Sequence, residues 1–216
     1  MTGMPDPVNI VIALVLVGAI PFIVVMMTAY TKLVVVLMVL RNALGLQQVP
    51  PNLILYAIAL VLTLFISQPI VMEISDIVAR EGGDLSAIDD WIALLQKAAE
   101  PVRAHLIRFA TGSERAFFMQ AATELWGVEA AANVQSDSFF ILVPSFVVSE
   151  LTRAFEIGFL LYLPFIVIDL VVSNILIAMG AMMVSPVTIS LPIKLFLFVI
   201  VDGWTRLLHG LILSYS

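Results

Sequence analysis

Apolar residues gather in four long runs, 8–40, 53–72, 158–184 and 189–213. Each reaches the roughly 20 residues that an α-helix needs to cross the hydrocarbon layer of a bilayer. The stretch 8–27 reads as one spanning helix, bent near its middle by Pro21. After Thr28-Ala-Tyr-Thr-Lys32 the apolar pattern resumes as far as Leu40, which makes this run too long for a simple crossing and predicts a tilted or kinked helix. Arg41-Asn-Ala-Leu-Gly45 closes it with a glycine stop. Gln47-Gln-Val-Pro-Pro51 is a rigid polar turn, and 53–72 returns, so the first two runs predict a helical hairpin.

The pattern changes between Glu73 and Asp137. Glu81-Gly-Gly-Asp84 marks a turn, and Ser86 with Asp89 three residues on marks a helix start. Ile88, Trp91, Ile92, Leu95, Ala98, Val102, Leu106 and Phe109 then recur with a helical period. Pro101 argues for a bend or break there. Thr111-Gly-Ser113 ends the pattern, and Ser113 with Glu114 opens a second short helix through Phe117, Phe118 and Trp126. The expected unit is a small helical cap with its apolar face on the membrane part.

Beyond it, 139–155 is apolar but holds Pro144, Ser145, Ser149, Glu150 and Arg153, which makes a poor lipid-facing helix. The run 158–179 contains Pro164 and Asp169. Gly180-Ala-Met-Met-Val-Ser-Pro186 breaks it, and the final run carries Pro192 near its start. Helices interrupted by proline survive at membrane depth only where protein or a water-filled cavity covers the freed backbone. The expectation is therefore an all-α membrane protein in three parts: an N-terminal helical hairpin (1–80), a periplasmic helical insert (81–137), and C-terminal helical hairpins with a Met loop (138–216).

Charge sharpens this picture. Lys32, Asp169, Lys194 and Asp202 lie in or at the edges of the apolar runs, and a charge at the centre of a membrane helix costs about 2.5–3.5 kcal/mol on insertion scales. Glu150 and Arg153 are three apart on one helix face and within pairing reach. Alternatively, Glu150 pairs with Lys194 between helices or subunits. Lys194 needs some acid, and Glu150, Asp169 and Asp202 all qualify on sequence grounds. Met179, Met182 and Met183 surround the break at Gly180. Methionine adapts to irregular gaps, so these residues read either as ordinary packing or as a deformable apolar seal across a pore.

Composition excludes several functions. The chain is 62% hydrophobic, against about 45–50% for a soluble domain. It has no cysteine, so disulfides and thiol chemistry are excluded. Eleven acidic and five basic residues between Glu73 and Asp137 account for the whole net charge of −6, and no basic patch offers a nucleic-acid surface. Ser145 and Ser149 lack a plausible histidine, His105 and His209 bring no ligand set, and there is no Gly-rich phosphate loop. No catalysis, metal or cofactor is expected. No basic residue precedes Lys32, so the first helix is expected to stay as an anchor and not as a cleaved signal. Arg41 and Lys32 place the first loop in the cytoplasm by the positive-inside rule, and the acidic insert on the periplasmic side.

Four segments carry a family likeness. They are Tyr30-Thr-Lys-Leu-Val-Val-Val-Leu with Leu40-Arg-Asn-Ala-Leu-Gly-Leu-Gln-Gln-Val-Pro-Pro-Asn52; Pro144-Ser-Phe-Val-Val-Ser-Glu-Leu-Thr-Arg-Ala-Phe-Glu-Ile-Gly-Phe159; Leu163-Pro-Phe-Ile-Val-Ile-Asp-Leu-Val-Val-Ser-Asn174; and Ser185-Pro-Val-Thr-Ile-Ser-Leu-Pro-Ile-Lys-Leu195, ending in Val201-Asp-Gly-Trp204. Together they resemble the FliP/SctR family, while 81–137 matches poorly. The resemblance implies an inner-membrane component of a type III secretion export apparatus. It further implies a homo-oligomeric, pentameric ring with SctS/FliQ-like and SctT/FliR-like subunits, projecting toward the periplasm and conducting unfolded secreted proteins. It implies a methionine gasket at Gly180-Ala-Met-Met183, where flagellar relatives tend to carry a third Met in place of Ala181. It also implies buried inter-subunit charge contacts at Glu150 and Lys194, with Arg153, Asp169 and Asp202 as further candidates. A virulence injectisome is favoured over a flagellar export gate, since the chain is short and lacks a cleavable signal. An independent proton-coupled secondary transporter using Asp169 or Asp202 is the other class of reading, and the acidic insert and absent inverted repeat weigh against it.

Overall fold

A computed structural model of the chain describes residues 14, 18, 21–22, 24–82, 88–181 and 183–216. Most of the predicted first crossing lies outside these residues, as do the cap at Ser86 and the side chain of Ile88; Pro21 itself is helical. Among the described residues the elements are all helical: α1 (Tyr30–Ala43), α2 (Asn52–Glu81), α3 (Ile88–Phe109), α4 (Gly112–Trp126), α5 (Val128–Ala131), α6 (Phe139–Ala178), α7 (Pro186–Ile200) and α8 (Gly203–Leu213).

The long first run is broken at Thr28 and Ala29, where the Thr28 hydroxyl donates back to the Val24 carbonyl. The glycine stop forms as expected. Gly45 takes φ +80°, and the Leu46 N–H reaches back to the Arg41 carbonyl at 3.2 Å, a geometry that a side chain at Gly45 would resist. The Arg41 guanidinium then ties the turn shut by donating to the Pro50 carbonyl and to Asn52. Helices α1 and α2 pack against each other across this turn. The second arm does not stop with the apolar run but continues through Glu73, Asp76 and Arg80 to Glu81.

Proline departs most from expectation. Pro101 sits inside α3 without ending it, Pro144 and Pro164 sit inside one continuous 40-residue α6, and Pro192 lies within α7. The predicted interruptions at these sites are corrected to unbroken helices. The reason is packing: the far part of α3 is held by buried Leu106 and Phe109, and the first half of α6 by buried Leu142, Phe146 and Ala154. Ser145 and Ser149 hydroxyls donate to the carbonyls one turn back, at 2.6 and 2.7 Å, along the same face. Conversely, the final run is not one helix. It bends by 61° between α7 and α8, at Asp202 with φ 53°. Asp tolerates this left-handed region better than most residues, and Gly203 lies so close under the Phe198 ring that a Cβ would collide.

The core is the seam between α1 and α6. Leu33, Val36, Leu37 and Leu40 present one fully buried stripe to α6. Gly158 lets the two backbones approach, since a Cβ there would lie 2.9 Å from Val39 Cγ1. Helix α3 and the α3–α4 corner close over the first half of α6, where the Ser149 hydroxyl accepts from the Thr111 N–H at 2.9 Å. By length and composition α2 and α6 can each cross a membrane, and the bent pair α7–α8 can supply a third crossing.

Candidate functional site: two buried ionic knots and a methionine loop

The first knot lies where α1, α3, α6 and the segment after α8 converge. Glu150 is fully buried and Lys32 is 1% exposed. The Lys32 ammonium stands 3.2 Å from one carboxylate oxygen, and Arg153 donates to the other at 3.1 Å. The Tyr215 hydroxyl is a third donor to Glu150. Its ring lies under the Lys32 ammonium, 3.6 Å from centroid to nitrogen, which adds a cation–π contact in a desolvated place. Arg153 also donates to the Phe109 carbonyl at the end of α3, at 2.9 Å. The His105 ring stacks on Tyr215 at 6.3 Å and tilts against Phe109 at 4.9 Å. Its Nε2 is buried without a hydrogen-bond partner. Burial pushes the His105 imidazole down to about 4 against the pull of Glu150, with Arg108 and Lys32 adding to the depression, so it is neutral at physiological pH. Burial, then Glu150, raises the Tyr215 phenol far above its usual range, which keeps it a donor.

The second knot joins α6, α7 and the end of α1. Lys194 stands 2.6 Å from Asp169 and donates to the Ala43 carbonyl at 3.1 Å. The Ser190 hydroxyl fixes the other Asp169 oxygen at 2.7 Å. Lys194 therefore neutralises a carboxylate and caps the negative end of α1 together. Its side chain is 5% exposed, that of Asp169 39%.

These distances settle the choice that the residue types left open within one chain. Glu150 and Arg153 do form the local pair, Lys194 takes Asp169, and Glu150 and Lys194 are not brought together. Asp202 joins neither knot; it is exposed, and its role is the backbone bend. In the turn after α6, Met179 is 74% exposed and Met183 fully so, while Gly180 takes φ +72°. Met182 lies outside the described residues.

Sequence reasoning missed three members. Lys32 was visible as a costly charge, but nothing along the chain matched it to Glu150. Tyr215 and His105 carried no signal, because an aromatic residue near apolar runs is ordinary. Among the described residues no three His, Asp or Glu side chains converge as a metal site would need.

Taken together, long apolar helices, internal ion pairs and mostly bare outer faces define an all-α, multi-pass membrane protein. The chain belongs to the FliP family, whose model matches residues 13–211. It is 50% identical over 216 residues to Yop proteins translocation protein R of Yersinia pestis, across the full length of both. A probable translocation protein, y4yL, of Sinorhizobium fredii is 51% identical over 199 residues, covering 92% of this chain and 90% of that protein. Virulence protein YscR of Salmonella typhimurium is 44% identical over 217 residues, covering 99% of this chain and all of the relative.

Proposed function

We propose that this chain is a non-enzymatic, pore-forming subunit of a type III protein secretion export gate in the bacterial inner membrane. Several copies, with SctS/FliQ-like and SctT/FliR-like subunits, surround a conduit for unfolded secreted proteins and project toward the periplasm. The observation that carries the reading is the full-length 50% identity to a protein named for Yop translocation. The same likeness, with further relatives named for harpin secretion and virulence, favours an injectisome over a flagellum.

Helix dimensions support assembly. The 40 residues of α6 extend about 60 Å at 1.5 Å each, roughly twice the hydrocarbon thickness of a bilayer. Only 11% of its most apolar stretch is buried by the rest of the chain. Lipid covers half such a helix at most, and the chain's own helices cover only part of the other half, where Phe140 and Phe155 stay exposed, so sister chains are the natural cover for what remains bare. In this reading Met179 and Met183, both exposed, join Met182 and the same residues of neighbouring copies in a compliant seal, and the two knots hold each copy in the shape that its neighbours recognise.

The test is replacement. Expressed in Yersinia lacking its own Yop proteins translocation protein R, the chain is expected to restore Yop secretion. In detergent it is expected to purify as a ring with two other small membrane subunits. A stable monomer that neither restores secretion nor retains those subunits refutes the proposal.

A further inference from the structure

Among the described charges on the helices α6 to α8, Glu156 and Arg206 have no ion-pair partner, and each borders an apolar surface. On α6, Glu150, Arg153 and Asp169 are paired, whereas Glu156 is exposed and has no partner among the described residues. It sits in a strip with Val148, Leu151, Phe155 and Phe159, of which Phe155 is 62% and Phe159 61% exposed. On its other side Glu156 borders a cavity with Lys32, Arg108 and Arg153, none of them in an ion pair with it; on the strip side the carboxylate is costly against lipid unless a cation reaches it. Elsewhere, a groove of about 590 Å³ runs between α6, α7 and α8, walled by Leu161, Phe165, Phe198, Leu207 and others, with Arg206 as its charged residue. Arg206 is exposed and likewise without an ion-pair partner among the described residues.

We infer that copies of this chain meet head to tail, the Glu156 strip of one copy seated in the Arg206 groove of the next. Three observations carry this beyond the general expectation of an oligomer, on which it rests. Strip and groove are different faces, since Glu156 does not line the groove, so the contact is heterologous and generates a ring where the rotation closes. They lie at one level along α6, because Ile157, the neighbour of Glu156, lines the groove, as a ring about an axis roughly parallel to α6 requires. Finally, a single contact satisfies both orphan charges while burying Phe155 and Phe159. An anionic phospholipid in the groove satisfies Arg206 alone and leaves Glu156 bare.

The absence of native cysteine makes the test clean. Full-length copies carrying Glu156→Cys and Arg206→Cys, each with its own tag, are co-expressed in bacterial membranes and oxidised. A disulfide-linked pair of differently tagged chains, formed only when both variants are present, is expected. Glu156→Arg or Arg206→Glu alone is expected to deplete the oligomer on native gels, and the two together to restore it. Glu156 also borders a second cavity with Arg108 and Arg153. An intrachain disulfide in Glu156→Cys/Arg108→Cys, without the 156–206 link, assigns Glu156 to its own chain and overturns the inference. So does anionic lipid retained by the wild type and lost in Arg206→Glu without any link. An oligomer that forms normally with no link and tolerates both reversals overturns the head-to-tail contact and leaves the ring reading intact. A chain that never oligomerises removes the ring reading itself.

Discussion

Replacing Lys32 by Met isolates the central pair of the first knot. Both partners are essentially unexposed, so the change leaves a buried carboxylate short of one cation. Removing one member of a buried pair costs about 3–5 kcal/mol. Arg153 and Tyr215 still donate to Glu150, and the Arg153 side chain is 35% exposed, which puts the expected loss at the lower end, about 3 kcal/mol. For a chain of this size that is a fall of about 6–12 °C in Tm. Glu150→Met is expected to be worse, because it strands Lys32 and Arg153 beside each other. The double variant Lys32→Met/Glu150→Met removes both charges, and buried pairs replaced by apolar side chains are often neutral. The cycle is therefore expected to show a coupling of about 3 kcal/mol, measured by guanidinium unfolding in detergent with the three tryptophans as reporters. Additive effects, or a Lys32→Met loss under about 1 kcal/mol, would show that the pair is solvated in practice and that the burial argument fails.

Lys194→Ala is expected to cost less than Lys32→Met, about 1–3 kcal/mol, because Ser190 still donates to the abandoned Asp169, which is less deeply buried than Glu150; thermal scans of the two variants side by side check the order. Gly158→Leu is expected to part α1 from α6 at Val39, for an overpacking cost of about 1–3 kcal/mol or a failure to fold, read by expression and Tm. His105 has a folded pKa of about 4, below its ordinary 6.5. Between those values the unfolded chain binds the extra proton, so stability is full above about 6.5 and falls with pH, by up to about 3 kcal/mol near pH 4. The charges of Glu150, Arg108 and Lys32 act on the ring in the wild type and stay in place in the variant, so His105→Phe is expected to flatten the pH 4.5–7 difference in Tm. Replacing Met179, Met182 and Met183 with Ala is expected to make the closed complex leak ions, and unchanged membrane conductance refutes the seal.

Helix class, the turn after α1 and the closing glycine could be read from the chain because they depend on local physics: apolar length, turn residues and a φ that only glycine adopts easily. Proline misled for the opposite reason. Pro101, Pro144 and Pro164 each remove one helical hydrogen bond locally, but long-range packing of α3 and α6 keeps the helices whole. The ionic knots were half legible. Glu150, Arg153, Asp169 and Lys194 announced themselves as charges that could not stay bare, and the three-residue spacing identified one pair. The partner of Glu150 from α1 and the hydroxyl of Tyr215 are set by how α1 crosses α6, which no periodicity encodes. The bend at Asp202 hid because an apolar run reads alike whether straight or folded at one residue.

The way each knot draws on separated parts of the chain dictates an order of birth. Lys32 leaves the ribosome long before Glu150, and Asp169 and the α1 end precede Lys194. During synthesis the first ammonium has no counter-ion, so the segment around Lys32 is best kept at the lipid–water boundary until α6 arrives. Tyr215, 65 residues beyond Glu150, completes the cage later still. The knots are therefore expected to close only once the late helices reach the early ones, and a nascent chain halted before α6 is expected to be a substrate for membrane quality control.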